Sequence, residues 1–436
     1  MHPFFARNFI YFPVQAIRGM PMRRCFEEVH MLERMSPADL ADFQLNKLRN
    51  LLLFAYNTIP YFKTGLDKIN VKPRDIATMA DLAKLPILTK AEIRENLETL
   101  HTKALRSSWR ATSGTTGSPL AFPKDRVAEA YMDAIMYTVY AWHGVSIGDR
   151  QARLWGRAIK TRDRILQDVA DRLFNRKRMS AFMMTEEACI QYYERLMRFK
   201  PRFVYGYANA IFRFARTLAE RGIDGRRVGI RVVISTGEVL FPHQRRDIEM
   251  FFGTKVVNEY GTTENGILGF ECELGTMHIL PLCLLEIHEP DADGFGNVVV
   301  TDLCSRSIPF IRYKTGDRGR IGVTRCACGR PYPAIEVCEG RIDDYIKCPD
   351  GRIVYDAILA YILKDHARQF RAYQESLTDL LIYIIPKKHF TRAAQEVAKE
   401  MFRNHLGPNM HVEFKVVSDI PEDPSGKFRY FISRIS

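Results

Sequence analysis

Apolar side chains recur at helical spacing in two distant parts of the chain. Ser36 and Pro37 are suited to an N-cap and a first turn, and the apolar face that follows consists of Leu40, Phe43, Leu48, Leu51 and Leu52. Near the C-terminus, Thr391 can open a second helix and Gly407 can end it. Its apolar stripe comprises Ala394, Val397, Ala398, Met401 and Phe402. The pattern therefore predicts two amphipathic helices, each packed on a core.

Short β-branched runs predict buried strands at residues 232–234, 256–257, 298–300, 380–385 and 411–417. The strand around Val256 is expected to end at Asn258, with a turn after it. The expected fold class is α/β. A large mixed N-terminal body of β-sheets and helices spans residues 1–342, and a small mobile α+β lid domain spans residues 343–436. A chain of 436 residues exceeds what a single core usually organises, which agrees with this division.

Composition narrows the class of protein. The hydrophobic content is 46%, as in ordinary globular proteins, and no apolar run reaches membrane-spanning length. The formal net charge is +13, but the basic residues are dispersed and no nucleic-acid-binding module is recognisable. We therefore expect small anionic ligands instead of nucleic acid as partners. Nine cysteines without a secretory signal favour a reducing, cytoplasmic compartment.

The N-terminal segment combines aromatic and basic residues before the first acid at Glu27. Its basic residues are Arg7, Arg18, Arg23 and Arg24, and its apolar residues are Phe4, Phe5, Phe9, Ile10, Tyr11 and Phe12. Such a segment could rest on an anionic membrane at the inner face. Pro13 interrupts a long helix, which favours the alternative that the segment folds onto the body.

Four short stretches suggest chemistry: SGTTGSP at residues 113–119, YGTTE at 260–264, YKTGD at 313–317 and PSGK at 424–427. The glycines and hydroxyls of the first stretch suit a polyphosphate, although such clusters are more often plain polar turns. Glu264 could hold Mg²⁺, with a surface glutamate as the alternative. Asp317, expected in a tight turn after Gly316, could bind a ribose diol or cap its own backbone.

In this order and spacing, the four stretches resemble those of the adenylate-forming superfamily of acyl-CoA ligases, adenylation domains and luciferases. The similarity extends from about Glu33 to Lys427 and is greatest to the phenylacetate-CoA ligase branch, with its capsular-polysaccharide-biosynthesis relatives. The resemblance implies ATP and Mg²⁺ as cofactors and CoA as a co-substrate. It implies that Lys427 and Arg341 act in catalysis with Glu264, which holds Mg²⁺, and that Asp343 is the hinge of the lid. The implied ATP-binding residues are Ser113, Gly114, Thr115, Thr116, Gly117, Gly237, Glu238, Tyr260, Gly261, Thr262, Asp317 and Arg341.

Clustered thiols in a reducing compartment are often metal ligands. Cys272, His278, Cys326 and Cys328 would make a Cys₃His site for structural Zn²⁺, and members of the resembled branch can carry zinc there. The C-x-C spacing departs from the common C-x-x-C, and ordinary thiols are the alternative. Ligand exchange with nearby cysteines, Cys283, Cys304, Cys338 and Cys348, stays open.

The sequence thus predicts an AMP-forming ligase that activates a carboxylic acid with ATP, releases pyrophosphate and passes the acyl group to CoA. Alternatives are direct transfer to an amine or hydroxyl of a metabolite or surface-saccharide precursor, and a non-catalytic ATP-binding protein. Trp155, Tyr205 and Tyr207 could line an aromatic-acid pocket or simply belong to the core.

Overall fold

A computed structural model describes most of the chain. The described residues are 1–112, 120–155, 161–181, 184–322, 326–341, 345–351, 353–355, 357–363, 366–387, 390–420 and 430–435. None of the helices in these ranges combines the length and apolar character needed to span a membrane.

The α-helices are α1 Pro3–Phe5, α2 Phe12–Ile17, α3 Met22–Leu32, α4 Pro37–Thr58, α5 Pro60–Lys68, α6 Lys90–Glu95, α7 Leu97–Leu100, α8 Arg126–Ala141, α9 Thr161–Leu173, α10 Glu186–Phe199, α11 Ala208–Ala219, α12 Pro242–Phe252, α13 Ala357–Leu363 and α14 Arg392–Leu406. A π-helical segment, Ala6–Tyr11, joins α1 to α2, and 3₁₀ turns occur at Pro73–Asp75, Met79–Lys84 and Gly225–Val228.

The strands are β1 Ser107–Ala111, β2 Ala121–Asp125, β3 Gln151–Trp155, β4 Arg176–Ser180, β5 Phe203–Tyr207, β6 Val232–Thr236, β7 Val256–Thr262, β8 Gly266–Glu271, β9 Met277–Ile279, β10 Cys283–His288, β11 Gly296–Asp302, β12 Tyr313–Ile321, β13 Ile335–Arg341, β14 Tyr345–Lys347, β15 Ile353–Tyr355, β16 Ala367–Gln374, β17 Asp379–Pro386, β18 His411–Val416 and β19 Phe431–Ser433.

The largest sheet of the described chain has the order β4-β3-β5-β6-β7-β8-β9. Its strands from β4 to β7 are parallel, and β8 and β9 add antiparallel pairs at one edge. Helices α9 to α12 lie between successive parallel strands in the sequence, as parallel pairing requires. The carboxyl ends of β3, β5, β6 and β7 therefore meet at one edge, where ligands bind in open α/β sheets.

Alternating side chains of this sheet enter two separate cores. Phe203 and Tyr205 of β5 pack into a cluster with α3 and α8, whereas Val204 packs into a cluster with α10, α11 and α12. The sheet is therefore covered by helices on both faces, and its central strands β5 and β6 are buried along their whole length. This arrangement confirms the predicted α/β fold class.

The smaller sheets of the described chain have the orders β1-β2, β10-β11-β12-β13, β14-β15 and β18-β17-β16-β19. Contacts divide the chain into a first unit, Met1–Thr315 with Gly319–Glu336, and a second unit, Gly316–Arg318 with Val337–Ser436. Within the second unit, α14 and the sheet around β17 share one core that includes Phe402 and Ile382. The predicted boundary between residues 342 and 343 lies outside the described residues and stays a prediction, as does the mobility of the lid.

The predicted helices form with the predicted caps. The Ser36 hydroxyl accepts a hydrogen bond from the Asp39 amide at 3.2 Å, and Thr391 caps α14 in the same way at 3.3 Å. The apolar stripe of α14 is narrower than expected. Ala398 and Phe402 are buried, but Val397 is 54% exposed, because it lies beside the stripe and not within it.

Pro13 does not end the N-terminal helical segment, contrary to expectation. Pro13 is near the start of α2, directly after the π-helical segment. Proline is tolerated in a first helical turn because the amide there needs no helical acceptor. Tyr11 is buried, and its hydroxyl donates a hydrogen bond to the Asp133 carboxylate at 3.0 Å, which anchors the segment on the first unit.

Candidate functional site

Several predicted site residues lie outside the described part of the chain. These are the phosphate-binding residues Ser113, Gly114, Thr115, Thr116 and Gly117, the hinge residue Asp343 and the catalytic residue Lys427. Arg341 is the last residue of β13. The roles of these residues stay predictions from the resemblance.

The YGTTE stretch extends a strand before it turns. The strand β7 continues to Thr262, four residues beyond the predicted end at Asn258, because β7 pairs with β8 along this stretch. The turn follows Thr262, whose hydroxyl accepts a hydrogen bond from the Asn265 amide at 3.0 Å. A Cβ atom at Gly261 would lie 2.4 Å from the Gly266 carbonyl oxygen. The close approach of the two backbone segments therefore excludes a residue larger than glycine at this position.

Glu264 lies in this turn and is buried, which excludes the alternative of a surface glutamate. Its Oε1 accepts a hydrogen bond from the Tyr313 hydroxyl at 2.7 Å and lies 3.5 Å from the Lys90 Nζ. Lys90 is brought here because Leu88 exchanges backbone hydrogen bonds with Arg312 and Lys314 at the start of β12. The carboxylate is thus held in a fixed position with a cation beside it, which suits a ligand for a hydrated metal ion.

A buried lysine, Lys124, also binds the turn that carries Glu264. Lys124 is fully buried on β2, and its Nζ donates to the Glu264 carbonyl at 2.8 Å and to the Asp302 carboxylate at 2.5 Å. Asp302 also accepts from the Cys304 amide, at 2.9 Å. Sequence reasoning missed Lys124, Asp302 and Lys90. The available signal for Lys124 was a lysine that directly follows the apolar residues Phe122 and Pro123 in a short strand.

Gly237 and Glu238 follow β6 at the same edge of the sheet. Gly237 has φ +72°, and a Cβ atom there would lie 3.2 Å from the Tyr207 ring. Glu238 accepts a hydrogen bond from the Asn209 amide at 2.9 Å, which fixes its side chain at the start of α11. These residues therefore lie at the carboxyl ends of β5 and β6, next to the turn that carries Glu264.

Asp317 lies within β12, so the expectation that it sits in a tight turn is wrong. Gly316, just before it, has φ +91°, and β12 continues to Ile321 on the other side. The role of Asp317 toward a ribose stays a prediction.

Glu259, the residue before Tyr260, belongs to a cluster of buried polar side chains. The carboxylate of Glu259 accepts hydrogen bonds from Tyr140 at 2.9 Å and from Tyr205 at 3.1 Å. Burial raises the pKa of Glu259, and burial likewise raises the pKa of Tyr205. The guanidinium of Arg153 lies 4.8 Å from the centre of the Tyr205 ring. Sequence reasoning missed this cluster of ionisable groups inside the first unit.

The aromatic residues at the carboxyl edge of the sheet include two buried core residues and one that keeps accessible surface. Trp155 stacks on Tyr207 with ring centres 4.1 Å apart and on Tyr205 at 5.4 Å. Tyr205 and Tyr207 are buried, whereas Trp155 keeps intermediate exposure. The tyrosines are thus core residues, but the tryptophan beside them retains accessible surface.

The structure also brings together the four proposed zinc ligands. The ligand atoms of Cys272, His278, Cys326 and Cys328 all lie within 4.8 Å of one another. Cys272 follows β8 and His278 lies on β9, so a hairpin supplies two ligands, and the segment before β13 supplies the other two. Cys283, Cys304 and Cys348 are buried and lie outside this cluster.

Distances within the cluster match a tetrahedral site. The Cys272 and Cys326 sulfurs are 3.8 Å apart, and Zn–S bonds of about 2.3 Å in a tetrahedron separate two sulfurs by about 3.8 Å. The Cys328 sulfur lies 3.3 Å from His278 Nε2, while His278 Nδ1 is 3.0 Å from the Tyr332 carbonyl. A proton on Nδ1 would donate to that carbonyl and leave Nε2 free to bind a metal.

The thiols have different electrostatic surroundings. A hydrogen bond with the Thr276 hydroxyl, with the Cys328 amide as a second cause, lowers the pKa of Cys326 to about 6. Burial raises the pKa of Cys272. The donor set and its geometry therefore fit a structural Zn²⁺ ion.

The chain is similar in sequence to a family model and to several other proteins. Residues 347–434 match the family described as the CapK C-terminal domain. The chain is 22% identical to Protein CapK of Staphylococcus aureus over 423 residues, which cover 94% of this chain and 92% of that protein. It is 24% identical to the phenylacetate-coenzyme A ligase of Thermus thermophilus over 339 residues, covering 72% of this chain and 73% of the ligase.

Solved structures share the fold. A crystal structure of 2-hydroxyisobutyryl-CoA ligase in the postadenylation state, in complex with 2-HIB-AMP, superposes with a TM-score of 0.74 at 20% identity, covering 92% of this chain and 91% of that one. The chain is a relative of CapK and of the phenylacetate-CoA ligases, with the fold of the adenylate-forming ligases. The resemblance inferred from the four stretches is thereby confirmed.

Proposed function

We propose that this protein activates a carboxylic acid with ATP and transfers the acyl group to CoA. The observation that carries the proposal is the buried Glu264, fixed by Tyr313 and Lys90 in a turn at the carboxyl edge of the parallel sheet. A non-catalytic ATP-binding protein would not require a carboxylate and a cation held together in this position. An adenylating enzyme would, because charge must be stabilised around the phosphates.

The proposed first step is attack of a substrate carboxylate oxygen on the α-phosphorus of ATP. A new P–O bond forms, the bond to the β-phosphate breaks, and pyrophosphate leaves. When bound, Mg²⁺ would share the phosphate charge, with Glu264 as its protein ligand. Lys427 would stabilise the charge that develops on the transferred group, as the resemblance implies.

In the second step, the CoA thiolate attacks the acyl carbonyl and AMP leaves. An amine or hydroxyl acceptor would use the same adenylate, so the first step is the part to test first. Movement of the second unit between the two steps is part of the proposal.

The test of the first step is carboxylate-dependent ATP–pyrophosphate exchange without CoA, across aryl, fatty, amino and sugar acids. We expect exchange with one class of acid and a loss of about hundredfold or more in Lys427→Ala. CoA and amines are then added to identify the acceptor. Absence of exchange from folded protein that binds ATP would contradict the proposal, as would full activity of Lys427→Ala.

We also propose that Cys272, His278, Cys326 and Cys328 bind a structural Zn²⁺ ion. The support is the match of the ligand distances to a tetrahedron and the orientation of His278. Four protein ligands close such a site, so its role would be to join the β8–β9 hairpin to the segment before β13. These two segments are about fifty residues apart in the chain.

Metal analysis tests this proposal. Purified protein should contain about one zinc per chain, and the Cys326→Ser, Cys328→Ser double variant should lose it and unfold at a lower temperature. Cys348→Ser, which changes a buried thiol outside the cluster, is the matched control. Retention of a full equivalent by the double variant would exclude these ligands.

Finally, we propose that the N-terminal segment rests on an anionic membrane surface. Phe4, Phe5 and Phe9 are all more than half exposed, and their rings contact one another. Arg7 is exposed among them, and Asp and Glu are absent from the first 26 residues. This combination of aromatic rings and basic side chains suits an interfacial helix.

An adjacent helix presents further apolar side chains to solvent. Leu166 and Val169 of α9 are exposed, whereas Asp171 is buried. The Asn175 side chain, just after α9, donates to the Met1 carbonyl at 3.0 Å, so α9 ends beside the N-terminus. The two apolar surfaces are therefore neighbours on the first unit.

Co-sedimentation with vesicles tests the membrane proposal. We expect binding to phosphatidylglycerol vesicles and weak binding to phosphatidylcholine vesicles, with loss of binding when Phe4, Phe5 and Phe9 are changed to Ser. Met250→Ser, at an exposed apolar side chain of α12, is the control. Absence of vesicle binding, or concentration-dependent dimers that the serine variant abolishes, would overturn the proposal.

A further inference from the structure

Arg153 is a partly buried cation whose guanidinium forms no hydrogen bond or ion pair with another described residue. Its Nε is enclosed and has no hydrogen-bond partner. Among the described residues, no carboxylate forms an ion pair with it, and its recorded contact is with the Tyr205 ring. By contrast, Arg178, its register partner on β4, is bonded to Asp171 at 2.9 Å. An enclosed guanidinium Nε without an acceptor is unusual, because each N–H group of an arginine seeks a hydrogen-bond partner.

The buried acid Glu259 does not supply such an acceptor. The carboxylate of Glu259 is engaged by the hydroxyls of Tyr140 and Tyr205. The charge of Arg153 acts on Glu259 through space, but no ion pair joins these two described side chains. Burial, followed by the nearby charge of Arg176, lowers the pKa of Arg153. The surroundings therefore make the cation costly without satisfying it.

Arg153 keeps accessible surface beside aromatic side chains. Arg153, Trp155 and Tyr137 all have intermediate exposure, and the two aromatic rings pack against the core that contains Tyr205. Tyr137 is on α8 and Trp155 is at the carboxyl end of β3, so a helix and a strand both contribute aromatic rings to this region. Accessible surface inside the unit, with a guanidinium on it, is what a ligand pocket for an oxyanion requires.

This space adjoins the proposed adenylation site. Glu259 directly precedes the Tyr260–Gly261 position on β7. Trp155 stacks on Tyr207, whose ring lies against Gly237. A molecule held at Arg153 would therefore extend toward the strand ends where the nucleotide is proposed to bind.

We propose that Arg153 binds a second anionic group on the carboxylic acid substrate, at the end remote from the reacting carboxylate. The inference rests on the proposed function for the identity of the reacting group. The substrate class is then an acid with two oxyanion groups. The aromatic walls, Trp155 and Tyr205, would enclose the part between them. Arg153 is in this sense a specificity residue.

Matched pairs of acids test the inference. The probes are hexanoate with adipate, and phenylacetate with 4-carboxyphenylacetate, each assayed by ATP–pyrophosphate exchange. The wild type should prefer the dianionic acid of each pair. Arg153→Met should reduce kcat/KM for the dianionic acids by about hundredfold or more and change the monoanionic acids only severalfold.

Two further variants exclude general damage. Arg153→Lys keeps the charge without the two-pronged geometry and should retain part of the preference. Lys177→Met removes an exposed cation from the neighbouring strand β4 and should change neither acid. Equal loss of both acids in Arg153→Met, or a wild-type preference for the monoanionic acid in both pairs, would overturn the inference.

Calorimetric binding without ATP separates this inference from the proposed function. Adipate or 4-carboxyphenylacetate that binds the wild type but not Arg153→Met supports the pocket, even if no exchange occurs and the proposed function fails. Exchange with monoanionic acids alone, without binding of dianionic acids, leaves the proposed function standing and refutes the pocket. Neither binding nor exchange of a dianionic acid also refutes it.

Discussion

The buried pair of Lys124 and Asp302 gives the sharpest prediction about stability. Lys124 has no exposed surface, and its Nζ binds both Asp302 and the Glu264 carbonyl. Lys124→Met keeps a side chain of similar length but leaves the Asp302 carboxylate buried without its cation. Breaking a buried pair from one side costs about 3–5 kcal/mol, because the remaining charge is uncompensated.

This cost can be converted into a melting temperature. An unfolding entropy of about 2.1 cal/mol/K per residue gives the first unit, Met1–Thr315 with Gly319–Glu336, about 0.7 kcal/mol/K. We therefore expect Lys124→Met to lower the Tm of the first unit by about 4–7 °C in differential scanning calorimetry. The double variant Lys124→Met, Asp302→Asn should recover part of this loss, since the second change removes the orphaned charge.

The exposed pair Lys103–Glu98 is the matched control. Its atoms lie 3.3 Å apart, but both side chains are mostly exposed, at 76% and 84%. Lys103→Met should leave the Tm unchanged, because exposed pairs contribute little. A Tm shift in Lys124→Met no larger than in Lys103→Met would refute the reasoning. So would strict additivity in the double variant.

Two further predictions concern the candidate site. Tyr313→Phe removes the hydrogen bond to Glu264, which is worth about 1.5–3 kcal/mol to a charged acceptor. The Mg²⁺ concentration for half-maximal exchange should therefore rise by about tenfold or more. Tyr193→Phe, which removes a solvent-exposed hydroxyl hydrogen bond, should not change it. Burial raises the pKa of Glu259 in the folded state. The contribution of the Glu259 side chain to the free energy of unfolding is therefore fully present below its unfolded pKa of about 4.5. This contribution is lost as pH rises toward the folded pKa. The Tm of the wild type relative to Glu259→Gln should therefore fall between pH 4.5 and 8, and a constant difference would contradict the assignment.

The local pattern of the sequence was sufficient for the helices and most strands. Ser36 and Thr391 cap the predicted helices because capping depends on a few neighbouring residues. The end of β7 was misplaced because pairing with β8, a partner further along the chain, extends the strand through Thr262. Asp317 was likewise assigned to a turn, although pairing draws it into β12.

The same distinction between local sequence pattern and contacts between distant segments applies to the candidate site. Residue type and spacing were enough to nominate Glu264, and to nominate the four zinc ligands with help from a family resemblance, because such chemistry requires particular side chains. The partners of Glu264 could not be nominated in this way. Lys90, Lys124 and Tyr313 come from segments far apart in the chain, and only the packing of β2, β12 and the turn after β7 brings them together.

By itself, then, the sequence determined the secondary-structure elements, the fold class and the residues whose side chains can take part in chemistry. The tertiary structure decided which charges are buried and which of them are matched. Burial and pairing are properties of distances between remote residues, and these distances set both the cost of a charge and its use. Arg153 illustrates the point: in the sequence it is one arginine among many, and in the fold it is a partly buried cation without an ion-pair partner among the described residues.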